Sequence, residues 1–146
     1  MNIKVLTNKQ DHSDAYFVRQ KVFVEEQQVD VEQEIDEYDS EALHLVVYKG
    51  TAPIGAGRFR MVEDYGKAER ICVLSSYRKD GVGKLLMDKL EELAAEHEIE
   101  KIKLHAQTHA EEFYKKLGYV TVSGEFMDAG IPHVEMVKKL SKNTRN

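Results

Sequence analysis

The chain has 146 residues, 26 acidic against 21 basic side chains and a net charge of −5, which places it in the single-domain range of roughly 100–200 residues and denies it the basic balance of a general nucleic-acid binder. Its one cysteine, Cys72, rules out an intrachain disulfide and a cysteine-based zinc cluster, and a domain of this size buries about 68–70% of its unfolded surface without such staples. No run of roughly 18 apolar residues and no basic-then-apolar leader occurs, so the expectation is a cytoplasmic protein of one domain, residues 1–146, with neither a membrane span nor a metal.

In chain order, Ile3 and Val5 alternate weakly with polar neighbours and suggest a short strand. Over residues 11–26, Ala15, Val18, Val22 and Phe23 recur at helical spacing, with Asp11 or Ser13 available as N-cap. Residues 27–41 carry Asp30, Glu32, Glu34, Asp36, Glu37, Asp39 and Glu41 among few apolar side chains, which reads as a solvated loop and an acidic rim for a cationic acceptor. Glu34, Asp36 and Asp39 lack the glycine and spacing of a calcium loop. Residues 43–48 and 54–61 flank Lys49-Gly50-Thr51 and predict a hairpin.

After a charged turn at 63–66, residues 69–74 read as a strand, and Leu85, Leu86, Leu90, Leu93 and Ala94 line one face of a helix from Val82 to near His97. A buried strand over 99–106 follows. Strand, helix, strand predicts a parallel pair with a right-handed crossover, and two strands parting at their ends would leave a gap for an extended cofactor arm. A short helix over 109–117 is stopped by Gly118 at C′. Residues 119–126 and 133–140 read as closing strands, and 141–146 as a frayed polar tail.

Between the central strand and its helix lies Arg78-Lys79-Asp80-Gly81-Val82-Gly83-Lys84. Two glycines permit a sharp turn and close approach of a ligand, while the first amides of a helix lack intrahelical partners and sit at the positive end of its dipole. Arg78, Lys79 and Lys84 add full charges, so the loop is a cradle for phosphate. A dinucleotide fingerprint fails because Leu86 stands where glycine is required. A P-loop fails because Arg78 replaces its first glycine and Leu85 its hydroxyl.

The remaining pattern, Arg-x-x-Gly-x-Gly between strand and helix, resembles the acetyl-CoA pyrophosphate motif of the GNAT N-acetyltransferase superfamily. Phe113-Tyr114-Lys115-Lys116-Leu117-Gly118-Tyr119 resembles the signature that ends the GNAT core. Val22-Phe23-Val24-Glu25-Glu26-Gln27, Leu104-His105-Ala106-Gln107 and Gly130-Ile131-Pro132-His133 are similar to the ElaA/YjcF-like branch, so the likeness spans nearly the whole chain. Two departures stand out: Gln107 replaces a common asparagine, and Ser75-Ser76 replace a common Pro-Glu.

The resemblance implies an α+β fold: a central mixed, splayed sheet of about six or seven strands with helices on both faces. It implies acetyl-CoA as cosubstrate, no metal, and direct transfer of the acetyl group to a small-molecule or peptide amine. The cofactor-binding residues implied are Cys72, Val73, Leu74, Arg78, Lys79, Asp80, Gly81, Val82, Gly83, Lys84 and Gln107. A protonated amine must lose a proton, and Glu69 is the first choice of base, with His44, His105, His109 and His133 as others. Val73 N–H is the implied oxyanion donor and Tyr114 the implied acid for the departing thiolate. Cys72 as acyl-carrying nucleophile lacks a neighbouring histidine in sequence. An acyl-CoA-binding module without turnover, and an interaction protein using the acidic loop, are the alternative classes. The acceptor is open, as is the choice between monomer and homodimer.

Overall fold

The computed structural model describes residues 1–140; the tail expected at 141–146 lies outside them. Among the described residues eight strands, β1 (Asn2–Leu6), β2 (Leu43–Lys49), β3 (Ala52–Val62), β4 (Tyr65–Val73), β5 (Lys101–Gln107), β6 (Val120–Thr121), β7 (Phe126–Asp128) and β8 (Ile131–Lys139), hydrogen-bond in the order β1-β2-β3-β4-β5-β8-β6, with β7 on β8. That is one strand more than expected, because the stretch 119–126 breaks at Ser123-Gly124 into β6 (Val120–Thr121) and the start of β7 (Phe126–Asp128). The chain forms two compact units, one of Met1–Arg60 with Glu69–Lys89, the other of Met61–Ala68 with the described chain from Leu90 onward.

In the first unit, β1 (Asn2–Leu6), β2 (Leu43–Lys49) and β3 (Ala52–Val62) form an antiparallel meander, and Gly50 takes φ +63° in the predicted hairpin turn. The predicted first helix divides into α1 (Ser13–Arg19) and a seven-residue π-helix (Gln20–Glu26). Its N-cap position is His12, whose side chain makes no cap bond, while Asp11 Oδ1 accepts from Ser13 N–H at 2.9 Å. α1 and the π-helix cover one face of the sheet: Ala15, Val18 and Val22 pack with Val46, Tyr48, Ala56 and Cys72. The other face receives α3 (Val82–Glu96), and the period of two along β3 separates the tasks. Ala56 faces α1, whereas a Cβ on Gly55 would come within 2.5 Å of Val82 Cγ1 and one on Gly57 within 2.8 Å of Ile71 Cδ1. Gly55 thus lets the first turn of α3 press onto the sheet, fixing where the loop before it ends, while Gly57 makes room for Ile71 of the neighbouring strand. Full burial of Val82, Leu86 and Met87 stabilises this seating by roughly 1.5–3 kcal/mol for each large apolar side chain.

In the second unit, β4 (Tyr65–Val73) contributes Gly66–Ala68 to a parallel pairing with β5 (Lys101–Gln107), as the crossover argument requires. The charged turn before it is only Glu63-Asp64, since Tyr65 and Gly66 already belong to the strand. β5 pairs antiparallel with β8 (Ile131–Lys139), which carries β6 and β7. The short helix appears as a 3-10 turn (Thr108–Ala110) leading into α4 (Glu111–Lys116), with Gly118 at φ +99° closing it.

Candidate active site

Strand, loop and helix follow one another here as the sequence pattern predicts. β4 ends at Val73, a 3-10 turn (Ser75–Tyr77) follows, and Gly81 adopts φ +80°, a conformation costly for a residue with a Cβ. Leu85 N–H to Gly81 O, 3.1 Å, is an opening bond of α3, so the amides of Val82 and Gly83 precede the ladder. A Cβ built on Gly81 would meet nothing within 4 Å: the space before this helix end is open. Those free amides, an open approach and nearby cations fit a pyrophosphate. Only the main chain of Val82 is available to this space, since its side chain is buried in the core.

The cationic side chains are less uniform than the sequence suggests. Lys79 and Asp80 are exposed, and Lys84 Nζ reaches Asp88 Oδ2 at 2.8 Å along the helix surface. Arg78 turns back: its Nε donates to Val73 O at 3.0 Å, and its two terminal nitrogens grip Glu26 Oε2 and Oε1 at 2.6 and 2.5 Å. Lys21, Val22, Glu25 and Glu26 of the π-helix face Leu74, Ser75 and Ser76 across a cleft of about 390 Å³.

The parallel pairing of β4 stops at Ala68, so Glu69–Val73 continue past it. Leu74 N–H is engaged by Ile54 O at 2.9 Å, which leaves Val73 as the amide of interest at this strand end. Burial pushes the Cys72 thiol up to about 12, which denies it thiolate character at neutral pH. Between Ala68 and Cys72 the strand is locally strained: Arg70 sits at φ +57°, sparsely populated for a long side chain. Its guanidinium reaches back to Glu34 O at 3.0 Å, Gln33 O at 3.2 Å and Asp36 Oδ2 at 3.3 Å.

Arg70 belongs to a set of opposed charges that overturns the reading of 27–41 as a solvated loop. That segment contains a helical turn, α2 (Val31–Glu34), capped by Asp30, and it turns Glu34 and Asp39 inward until each is 3% exposed. Arg19, 1% exposed, bonds Glu34 Oε1 at 2.5 Å and Asp39 Oδ1 at 2.6 Å. Arg58, also 1% exposed, bonds Asp36 Oδ1 at 2.6 Å, Asp39 Oδ1 at 3.0 Å and Glu69 Oε1 at 2.9 Å. Arg60 adds a second guanidinium to Glu69, at 2.7 Å. The acids face inward because arginines await them; an uncompensated carboxylate there would be strongly disfavoured. Burial works to raise the Asp39 pKa, but the hydrogen bond and charge of Arg19, with help from the Asp36 amide and Arg58, hold it well below the usual carboxylate range. The exposed remainder, Glu32, Glu37 and Glu41 with Asp30, forms the outer acidic surface.

The histidine candidates scatter. His44 is fully buried, its Nε2 against Asp39 O at 2.8 Å and its ring against His12 at 4.3 Å, and burial lowers its pKa. His105 Nε2 lies 3.3 Å from Glu135 Oε2, His133 Nδ1 lies 2.7 Å from Ile131 O, and His109 is exposed in its 3-10 turn. The first unit brings together Glu69, Cys72–Leu74 and the whole cradle. Tyr114 and Gln107 belong to the second: Tyr114 is buried edge-on to Phe113 and Tyr119, and Gln107 ends β5 opposite His133. Sequence reasoning passed over Arg19, Arg58 and Arg70. Arg19 had a signal, since it falls on the apolar stripe four residues after Ala15 and three before Val22.

No group of three or more His, Cys, Asp or Glu side chains suited to a metal occurs among the described residues, and no described helix is long and apolar enough to cross a membrane. The family model described as acetyltransferase (GNAT) domain matches residues 8–140. The chain is 51% identical over 139 residues to the uncharacterized N-acetyltransferase YjcF of Bacillus subtilis, covering 94% of this chain and 99% of that one. Its fold matches the crystal structure of Escherichia coli ElaA with a TM-score of 0.83 at 25% identity, over 94% and 99% of the two chains. An aminoglycoside 6'-N-acetyltransferase complexed with coenzyme A shares the fold alone, with a TM-score of 0.75 at 18% identity over 95% and 97% of the two chains. On a cradle of this form, a family match across nearly all of its length and relatives covered end to end, the chain belongs to the acetyltransferase (GNAT) family, the acyl-CoA-dependent N-acetyltransferases that use acetyl-CoA as cosubstrate.

Proposed function

We propose that residues 1–146 act as one domain that transfers an acetyl group from acetyl-CoA directly to an amine, with no acyl-enzyme in between. The observation that carries this reading is the open glycine turn at Gly81, with the first turn of α3 seated on Gly55 and Arg78 beside the end of β4. Bound there, acetyl-CoA supplies an activated thioester. The amides of Gly81, Val82 and Gly83 with Lys79 and Lys84 would hold its pyrophosphate, while Cys72–Leu74 and Gln107 would line its arm. Val73 N–H would donate to the thioester oxygen as charge develops on it.

A free primary amine with a pKa near 10.4 is about one part in a few thousand neutral at pH 7, so a proton acceptor is required. Glu69 is the proposed base. Arg58 and Arg60 donate to its carboxylate and fix its orientation. Tyr114 is the proposed acid for the departing thiolate. The buried thiol of Cys72 supports direct attack, because a group pushed up to about 12 is a poor nucleophile at neutral pH.

Initial-rate kinetics with acetyl-CoA and a panel of small amines, amino acids and peptides should give intersecting lines, and Cys72→Ala should keep most of the turnover. Tyr114→Phe keeps the ring and should slow chemistry by roughly 10²–10⁴ with acetyl-CoA affinity retained. Parallel lines, or an acetyl group on Cys72 by mass spectrometry, would replace direct transfer with an acyl-enzyme. Binding of acetyl-CoA with no consumption on any amine would leave a binding module.

A further inference from the structure

The Arg78–Glu26 ion pair places a carboxylate where the cradle needs a free cation. Arg78 spends its donors on Val73 O and, bidentately, on both oxygens of Glu26. Glu26 closes the seven-residue π-helix, a rare geometry that concentrates at functional sites, and that helix lines the cleft opposite Leu74, Ser75 and Ser76. The lining brings two carboxylates, Glu25 and Glu26, to the approach of a dianionic pyrophosphate. A phosphate reaching Arg78 while Glu26 stayed in place would set like charges within one guanidinium's width, with Lys21 committed 3.3 Å from Glu25. Both side chains of the pair are 41% exposed, so the bond is one that a ligand can exchange at small cost.

We propose that Glu26 is an internal competitor for the cofactor's pyrophosphate: it holds Arg78 before binding, yields it to phosphate, and takes it back as the spent cofactor leaves. Glu26 is therefore a positioning residue that sets cofactor affinity and speeds release; it takes no part in acyl transfer. The inference rests on the acetyl-CoA reading above.

Calorimetry with CoA and with pantetheine, which lacks the pyrophosphate, tests it. Glu26→Gln should tighten CoA binding by about two- to fivefold, the scale of an exposed ion pair, and slow CoA dissociation in stopped flow, while pantetheine binding stays unchanged. In an Arg78→Ala background the same substitution should tighten CoA by clearly less, because competition for the shared partner is gone and only the like-charge repulsion of Glu26 remains to be relieved. Glu26→Ala, with its melting point checked against the parent, should repeat the result. Weaker or unchanged CoA binding by Glu26→Gln would overturn the proposal in favour of a carboxylate that merely preorganises Arg78 or does nothing. Equal tightening of pantetheine, or tightening that is undiminished in the Arg78→Ala background, would also overturn it. A parent protein that binds no CoA at all would instead bring down the cofactor reading on which the inference stands.

Discussion

The loop at 78–84 and the set of side chains around Asp39 both concentrate charge, and they treat it in opposite ways. In the loop the attraction for an anion comes mainly from backbone, from amides ahead of the α3 ladder and a glycine at φ +80°, while the formal charges stay at the surface with exchangeable partners. Around Asp39 the attraction is mainly between side chains, and the charges are largely withdrawn from water and matched: Arg19, Arg58, Arg60 and Arg70 against Glu34, Asp36, Asp39 and Glu69. The formal charges of the first arrangement stay exchangeable, and those of the second are already matched. Removing a charge should therefore act on binding in one region and on stability in the other.

The largest effect is expected from Asp39→Ala, which strands Arg19 and part of Arg58 without their shared acceptor. Chemical denaturation should show a loss of about 3–5 kcal/mol, the scale for breaking one partner of a buried ion pair. Glu37→Ala, in the same segment but exposed, should change stability by less than about 0.5 kcal/mol. A small effect at Asp39 would mean that the network is not held in solution, and the contrast with the cradle would fall.

Gly83→Asp addresses the cradle. The parent should gain about 2.7 kcal/mol from acetyl-CoA at a hundredfold excess over Kd, by linkage. The variant should fold nearly as well without ligand, since a carboxylate in the first turn of a helix is favoured by the dipole, yet it should lose the ligand-induced shift because that charge occupies the place of the phosphate. An undiminished thermal shift would break the assignment of 78–84 as the pyrophosphate site.

The same contrast explains what could be read from the sequence. The cradle is written locally, as two glycines between a strand and a helix start, and so are the hairpin at Gly50, the α3 stripe and the stop at Gly118. Each depends on residues within a few positions of one another. The network depends on partners 15 to 20 residues apart, as from Arg19 to Glu34 and to Asp39, and 22 apart, as from Arg58 to Asp36. Without those arginines in view, a run of acids in 27–41 has only water as a partner, and the solvated loop was the reasonable expectation. The strained φ of Arg70 had no sequence signal at all: nothing marks an arginine for the left-handed region, and it is held there by three contacts to a segment more than thirty residues earlier.

A last and smaller effect separates the regions by pH. His44 is buried with Nε2 against Asp39 O and Nδ1 without a partner among the described residues, and it faces His12, Tyr16, Arg19 and Asp39. Burial is the main cause of its lowered pKa, with the charges of His12 and Arg19 acting in the same direction against the Asp39 contacts. In the unfolded chain the ring titrates near 6.5, so as pH falls through that value the unfolded state takes up a proton that the folded state refuses. Stability should accordingly decline below about pH 6.5, by at most about 1.4 kcal/mol per pH unit from this group, until the lower folded pKa is reached. Asp39 adds a second decline in the same direction but lower down: its depressed carboxyl stabilises the fold above the unfolded value near 3.9 and loses that contribution as pH drops further. Denaturation midpoints at half-unit steps from pH 8 to 5, for the parent and for His44→Gln, measure the first decline directly. A variant that keeps the parent's full slope would assign it to other histidines and remove His44 from the pH response of the network.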